Sequence, residues 1–96
     1  MLKGIITLCE QECEAGYDFA KTKKVMTKGF ANQFGHEAEE IVHRSIEKIM
    51  KKYPNNADAF QVLYYNDNNT CTKYYLIVDD YGNGTYVLTA LLPEEY

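Results

Sequence analysis

Glu40-x-x-His43, with Glu47 one turn further on, comes nearer to metal chemistry than any other group of side chains in this chain. That spacing puts two ligands on one helix face, and in di-iron bundles it occurs on two helices together with further glutamates. This chain has one copy on one helix, so the group reads as a solvated Glu-His-Glu face. His36 falls on the same side, but about 10.5 Å away along a helix axis, too far to share an ion. Cys9 and Cys13 would form a thiolate pair on a helix, yet structural zinc needs four ligands and Cys71 stands alone in a strand pattern. A nucleophilic cysteine and its histidine base meet in space rather than in order, and nothing in the spacing raises such a pair above background. Asp79-Asp80-Tyr81-Gly82-Asn83-Gly84 lacks the alternating acids and closing glutamate of a calcium loop and reads as a hairpin turn. No cofactor, no metal and no catalytic residue is expected, and these residues name no reaction.

Two other groups bear on binding. Nine tyrosines against no tryptophan is the oddity of the composition. Tyr64, Tyr65, Tyr74, Tyr75 and Tyr86 all fall on predicted strands. Tyrosine combines a large contact area with a polar tip and is enriched at protein interfaces, so these five are the candidate partner-binding residues. Aromatic side chains on a sheet also stack single-stranded bases, but such rings are interleaved with Arg and Lys, and here the three tyrosine-bearing strands offer only Lys73. The charges are segregated along the chain. Glu10, Glu12, Glu14 and Asp18 precede Lys21, Lys23, Lys24 and Lys28, which follow with no acid between them. Those four lysines are the candidate contacts of a nucleic-acid-binding alternative; the plainer reading of the run is a solvated strand or loop.

The elements that must position these groups follow from periodicity. HEAEEIVHRSIEKIMKKY, residues 36–53, places Ala38, Ile41, Val42, Ile46, Ile49, Met50 and Tyr53 on one helix face and its charges on the other. Glutamates open the segment and lysines close it, as the helix dipole favours, and Pro54 ends it. Residues 24–27 read as a short strand, and the first twenty residues as a strand or irregular arm running into a polar helical turn. Residues 59–65, 71–78 and 85–92 alternate as strands, and the short Asn-, Asp- and Gly-rich connections between them force an antiparallel meander over 59–92. Tyr74, Leu76 and Val78 share one face of the middle strand, Tyr75 and Ile77 the other. A sheet covered by a single helix is polar on its open face. The apolar second face is therefore expected to be covered, by the N-terminal arm or by another protein.

Composition bounds the rest. The 96 residues form one domain, 1–96, with 46% hydrophobic and 25% charged residues, which excludes a disordered chain. No run approaches the roughly 18 apolar residues of a membrane span, and the opening MLKGIITL is too short for a secretory signal. A soluble, cytoplasmic protein with reduced thiols is expected, and the two Asn-x-Thr sequences read as turn chemistry rather than glycosylation sites. A net charge of −4 disfavours non-specific nucleic-acid binding.

KVMTKG running into a helix, AFQVLYY as a following strand and a PEEY tail resemble a family of small uncharacterised proteins of low-GC gram-positive bacteria and their mobile elements. Thr27, Lys28, Gly29, Gln61, Val62, Pro93, Glu94 and Tyr96 are the matching positions, within about residues 24–96. This chain departs from the family in its extra N-terminal arm and in lacking an aromatic residue in the helix. The resemblance implies a source and a fold but no activity.

The expectation is an α+β domain, an antiparallel sheet of four to five strands with one amphipathic helix on one face. Its expected role is non-enzymatic: an interaction module docking through its tyrosine-rich sheet or its acidic N-terminal arm, in a specific form a phage or mobile-element protein that modulates a host protein such as a defence enzyme. A homodimer through the apolar face is the other candidate partnership, with no membrane partner.

Overall fold

The computed structural model describes residues 2–96. Strands β1 (Ile5–Leu8), β2 (Lys23–Met26), β3 (Phe60–Asp67), β4 (Thr70–Asp80) and β5 (Tyr86–Leu91) form one sheet in the order β1-β3-β4-β5-β2. Helices α1 (Lys28–Phe34) and α2 (Ala38–Lys52) pack on one face of it. The architecture is α+β, with the expected meander β3-β4-β5. Two features differ from expectation. The sheet is mixed, because β2 pairs with β5 in parallel, and a second helix precedes the long one. The parallel contact needs a long crossover, and the stretch carrying α1 and α2 between β2 and β3 supplies it.

The short helix owes its existence to local signals. Thr27 Oγ1 accepts from Phe30 N as the N-cap, Phe30 and Phe34 stand four residues apart on the buried side, and Gly35 ends the helix at φ +55°. One 3₁₀ turn, Gly35–Glu37, then leads into α2, so residues 36 and 37 of the predicted helix belong to that turn. Tyr53 N still donates to Ile49 O before Pro54 stops the helix.

The core lies between α2 and the sheet. Ile41, Val42, Ile46 and Ile49 of α2 meet Leu63, Tyr65, Tyr74, Leu76, Val78, Leu88 and Ala90, each apolar side chain contributing about 1.5–3 kcal/mol by burial. Beneath α1, Phe30 and Phe34 meet Tyr74 edge-to-face at 5.6 and 5.8 Å between ring centroids. One hydroxyl chain crosses this core. Ser45 Oγ donates to Ile41 O at 2.6 Å, so the Tyr74 hydroxyl, also 2.6 Å away, must be the donor to Ser45 Oγ.

The N-terminal arm does not cover the second face. After β1 it runs across the end of the domain, with Ala15 N donating to Asn56 O and Tyr17 N to Ala57 O. It buries Phe19 in the core beside Met50, then emerges at the opposite sheet edge as β2. The route follows from Phe19, the one large apolar side chain of the arm that the core completely encloses. Gln11 holds the crossing, donating through Nε2 to Asn56 O and accepting through Oε1 from Asp58 N and Gln61 Nε2.

A clasp closes the far corner. The Glu95 carboxylate accepts from Thr27 Oγ1, from Gly29 N at 3.1 Å and from Leu92 N at 2.9 Å. A Cβ at residue 29, in the first turn of α1, would meet that carboxylate and push it out of the clasp. These hydrogen bonds, that from Thr27 foremost, hold the Glu95 carboxyl below its usual range.

Candidate functional site

Strand register decides which side chains face away from the helices. Antiparallel partners share a face, so Phe60 with Ile77, Val62 with Tyr75, and Tyr64 with Lys73 all point to the uncovered side. Thr89, Leu91 and Val87 of β5 join them opposite Ile77, Tyr75 and Asp79, and Val25 of β2 extends the row beside Thr89. The result is an aliphatic and aromatic surface across all the strands, with Lys23, Lys73 and Asp79 at its margins. Most of its side chains are half-buried, because strand neighbours shield them while no helix lies over them.

One corner of this surface is an aromatic cluster. Phe60 and Tyr75 stand 4.8 Å apart between ring centroids, and Tyr96 meets both at 5.4 and 5.8 Å. Tyr96 itself stays 77% exposed. Leu91 beside it is buried without belonging to the main core, so the C-terminal turn Pro93–Glu95 and Tyr96 roof this corner alone. Lys73 Nζ lies 5.7 Å from the Tyr75 ring centroid, within cation–π range.

The five candidate tyrosines do not act together. Tyr65 and Tyr74, 4% and 0% exposed, face the helices and are core residues that no partner can reach. Burial raises the Tyr74 hydroxyl above its ordinary value and keeps it protonated, while the Tyr65 hydroxyl, also raised by burial, accepts from Gly4 N. Tyr86 lies on the helix side and packs edge-on against Tyr17, ring centroids 6.2 Å apart. Only Tyr64 and Tyr75 occupy the uncovered face. Phe60, Val62, Ile77, Val87 and Tyr96 belong with them; alternation pairs Tyr75 with Ile77, and the same period extended to the other strands reaches all but Tyr96.

The four candidate lysines are scattered. Lys23 and Lys24, adjacent on β2, point to opposite faces. The Lys24 ammonium is held by Ala20 O and Thr22 O, both at 2.8 Å. Lys21 lies in the turn Phe19–Lys21 and Lys28 opens α1. No single basic surface results.

On α2, Arg44 stands between Glu40 and Glu47, 3.5 Å from each, which makes the Glu-His-Glu stripe an ion-pair network. No group of three or more His, Cys, Asp or Glu side chains among the described residues is placed to hold a metal ion. His43 lines two shallow grooves, and no cysteine lines either of them. Asp79 and Asp80 end β4, and the following turn uses Gly82, Asn83 and Gly84 at positive φ, with Asp80 Oδ1 accepting from Gly82 N. No helix among the described residues is long and apolar enough to cross a membrane.

The chain matches no protein-family model, no curated protein and no solved structure.

Proposed function

We propose that this protein is a non-enzymatic interaction module that docks a partner protein on the uncovered face of its sheet. The observation that carries the reading is the row Phe60, Val62, Tyr64, Tyr75, Ile77 and Val87, which neither the helices nor the arm covers. A contiguous apolar surface rimmed by polar residues marks an interaction site in a small protein. The proposed contacts are therefore Tyr64 and Tyr75 with their aliphatic neighbours. The narrower form, a mobile-element protein modulating a host defence enzyme, rests on small size, acidity and the source that the resemblance implies, and supplies the first lysate to test.

A second reading is favoured by Tyr64, Tyr75 and Phe60 sharing that face with Lys23 and Lys73, an arrangement on which single-stranded bases stack. It replaces the Lys21, Lys23, Lys24 and Lys28 patch as the nucleic-acid alternative.

Tagged protein and its Tyr64→Ser/Tyr75→Ser variant are used to capture partners from nuclease-treated bacterial lysate. A stoichiometric protein held by the parent chain and lost by the folded variant is the expected result. Equal capture by both chains, or capture that nuclease abolishes, overturns the protein-docking reading. A concentration-dependent dimer in light scattering that the variant abolishes assigns the face to a second copy instead.

A further inference from the structure

The sheet ends at β1, and the backbone phase of that strand is fixed by two bonds. Cys9 N donates to Val62 O, so in an antiparallel pair Thr7 and Ile5 also turn their backbone groups towards β3. Val78 N donating to Ala59 O gives β3 the same phase. The N–H and C=O groups of Ile6 and Leu8 therefore point outward from the terminal strand, with no strand beyond them among the described residues. Along this edge runs a groove of about 370 Å³ lined by Ile6, Thr7, Leu8, Lys48, Lys51 and Lys52. Three successive residues of a strand line one groove only where it follows the strand's edge, because their side chains alternate between faces. The bank of this groove is a single-sign row of lysines from the last turns of α2, and no carboxylate among the described residues pairs with Lys48 or Lys51.

The opposite edge is different. The groove along β2 is smaller, about 230 Å³, and mixes Lys24 and His43 with Glu39. Lys24 also folds back on Ala20 and Thr22 there. Charge thus separates the two edges.

From this juxtaposition we propose that the β1 edge takes an extended acidic segment of a partner protein as an added strand. Backbone groups of the incoming strand pair with Ile6 and Leu8, which supplies affinity independent of side chains. The residues opposite Ile6 and Leu8 project to the helix side, beside Lys48, Lys51 and Lys52, and the alternate residues project towards Ile5, 71% exposed, and Thr7. The favoured ligand therefore alternates acidic and apolar residues. A second copy of this chain is the wrong occupant, because a two-fold β1–β1 pairing brings two lysine rows together. The inference concerns a different surface from the uncovered sheet face and does not need that reading to hold.

The test uses a fluorescein-labelled decapeptide alternating Glu and Val, a peptide of the same composition with Glu and Val in separate blocks, and a single-stranded oligonucleotide. Binding is read by anisotropy at low and high salt, and amide exchange by NMR. The alternating peptide is expected to bind at least about tenfold more tightly than the block peptide and to lose affinity with salt. Its binding slows exchange of the Ile6 and Leu8 amides. Lys48→Glu/Lys51→Glu, two exposed changes, weakens it by about tenfold or more, while Tyr64→Ser/Tyr75→Ser leaves it unchanged. Equal binding of the two peptides, unchanged Ile6 and Leu8 exchange at saturation, or tighter binding of the oligonucleotide that spares those amides each overturns the proposal. Loss of binding in the tyrosine variant with retention in the lysine variant also overturns it, and moves the peptide to the uncovered face.

Discussion

Ser45 and Tyr74 exchange the only hydroxyl–hydroxyl contact described in the buried core, and their roles are unequal. Ser45→Ala strands the Tyr74 hydroxyl without an acceptor and is expected to cost about 1–3 kcal/mol. Tyr74→Phe removes the donor and leaves Ser45 bonded to Ile41 O, so it should cost about 1 kcal/mol. Urea melts of both variants check the order; a costlier Tyr74→Phe contradicts the donor assignment. Gly4 makes a sharper single-residue claim. A Cβ there meets Asn66 O and the Tyr65 ring, so Gly4→Ala must displace β1 from β3. Slowed exchange at Ile5 and Thr7 in the parent chain and fast exchange in the variant is the expected NMR result. At this scale the sequence was half legible. Alternation separated Tyr74 from Tyr75, but nothing in period two says which face a helix will cover, so core and surface tyrosines looked alike. Gln61 was likewise invisible as a core residue, since its burial depends on Gln11, distant in sequence.

Elements differed in legibility by length and by the range of their contacts. Over 15 residues α2 repeats its apolar face four times, and that signal survives any context. The seven residues of α1 carry two phenylalanines and a glycine, too few for a period, although Thr27 as cap and Gly35 as stop were present. The parallel pairing of β2 was out of reach, because Phe19 and the arm, not the strand's own residues, deliver it to β5. The clasp belongs to this scale. Thr27→Ala removes both the α1 cap and a Glu95 partner and is expected to cost about 1–2 kcal/mol. The Glu95 carboxyl is lowered in the folded chain, so its contribution is full above the unfolded carboxyl range and is lost as pH falls through the lowered value. The stability gap between the parent chain and Glu95→Gln should therefore narrow from about pH 7 to about pH 3. A gap independent of pH contradicts the ionised clasp.

For the whole molecule, one layer of helices on a sheet with two apolar faces is an unfinished sandwich. The arm, which could have covered the second face, is committed elsewhere by Phe19, Ala15 and Tyr17. A face so composed is the proposed docking site, and the net charge of −4 disfavours non-specific nucleic-acid binding. The β1 edge is the second proposed contact and is electrostatically distinct, so the two surfaces should respond to salt differently: weakly for the face, strongly for the edge. The most direct measurement is photo-crosslinking in bacterial lysate from two positions on opposite sides of the domain. Benzoylphenylalanine replaces Tyr64 on the uncovered face in one protein and His43 on the outer side of α2 in the other. One discrete heterologous adduct is expected from position 64 and none from position 43. Adducts of equal yield from both positions, or only self-adducts from position 64, contradict docking of a foreign protein on the sheet.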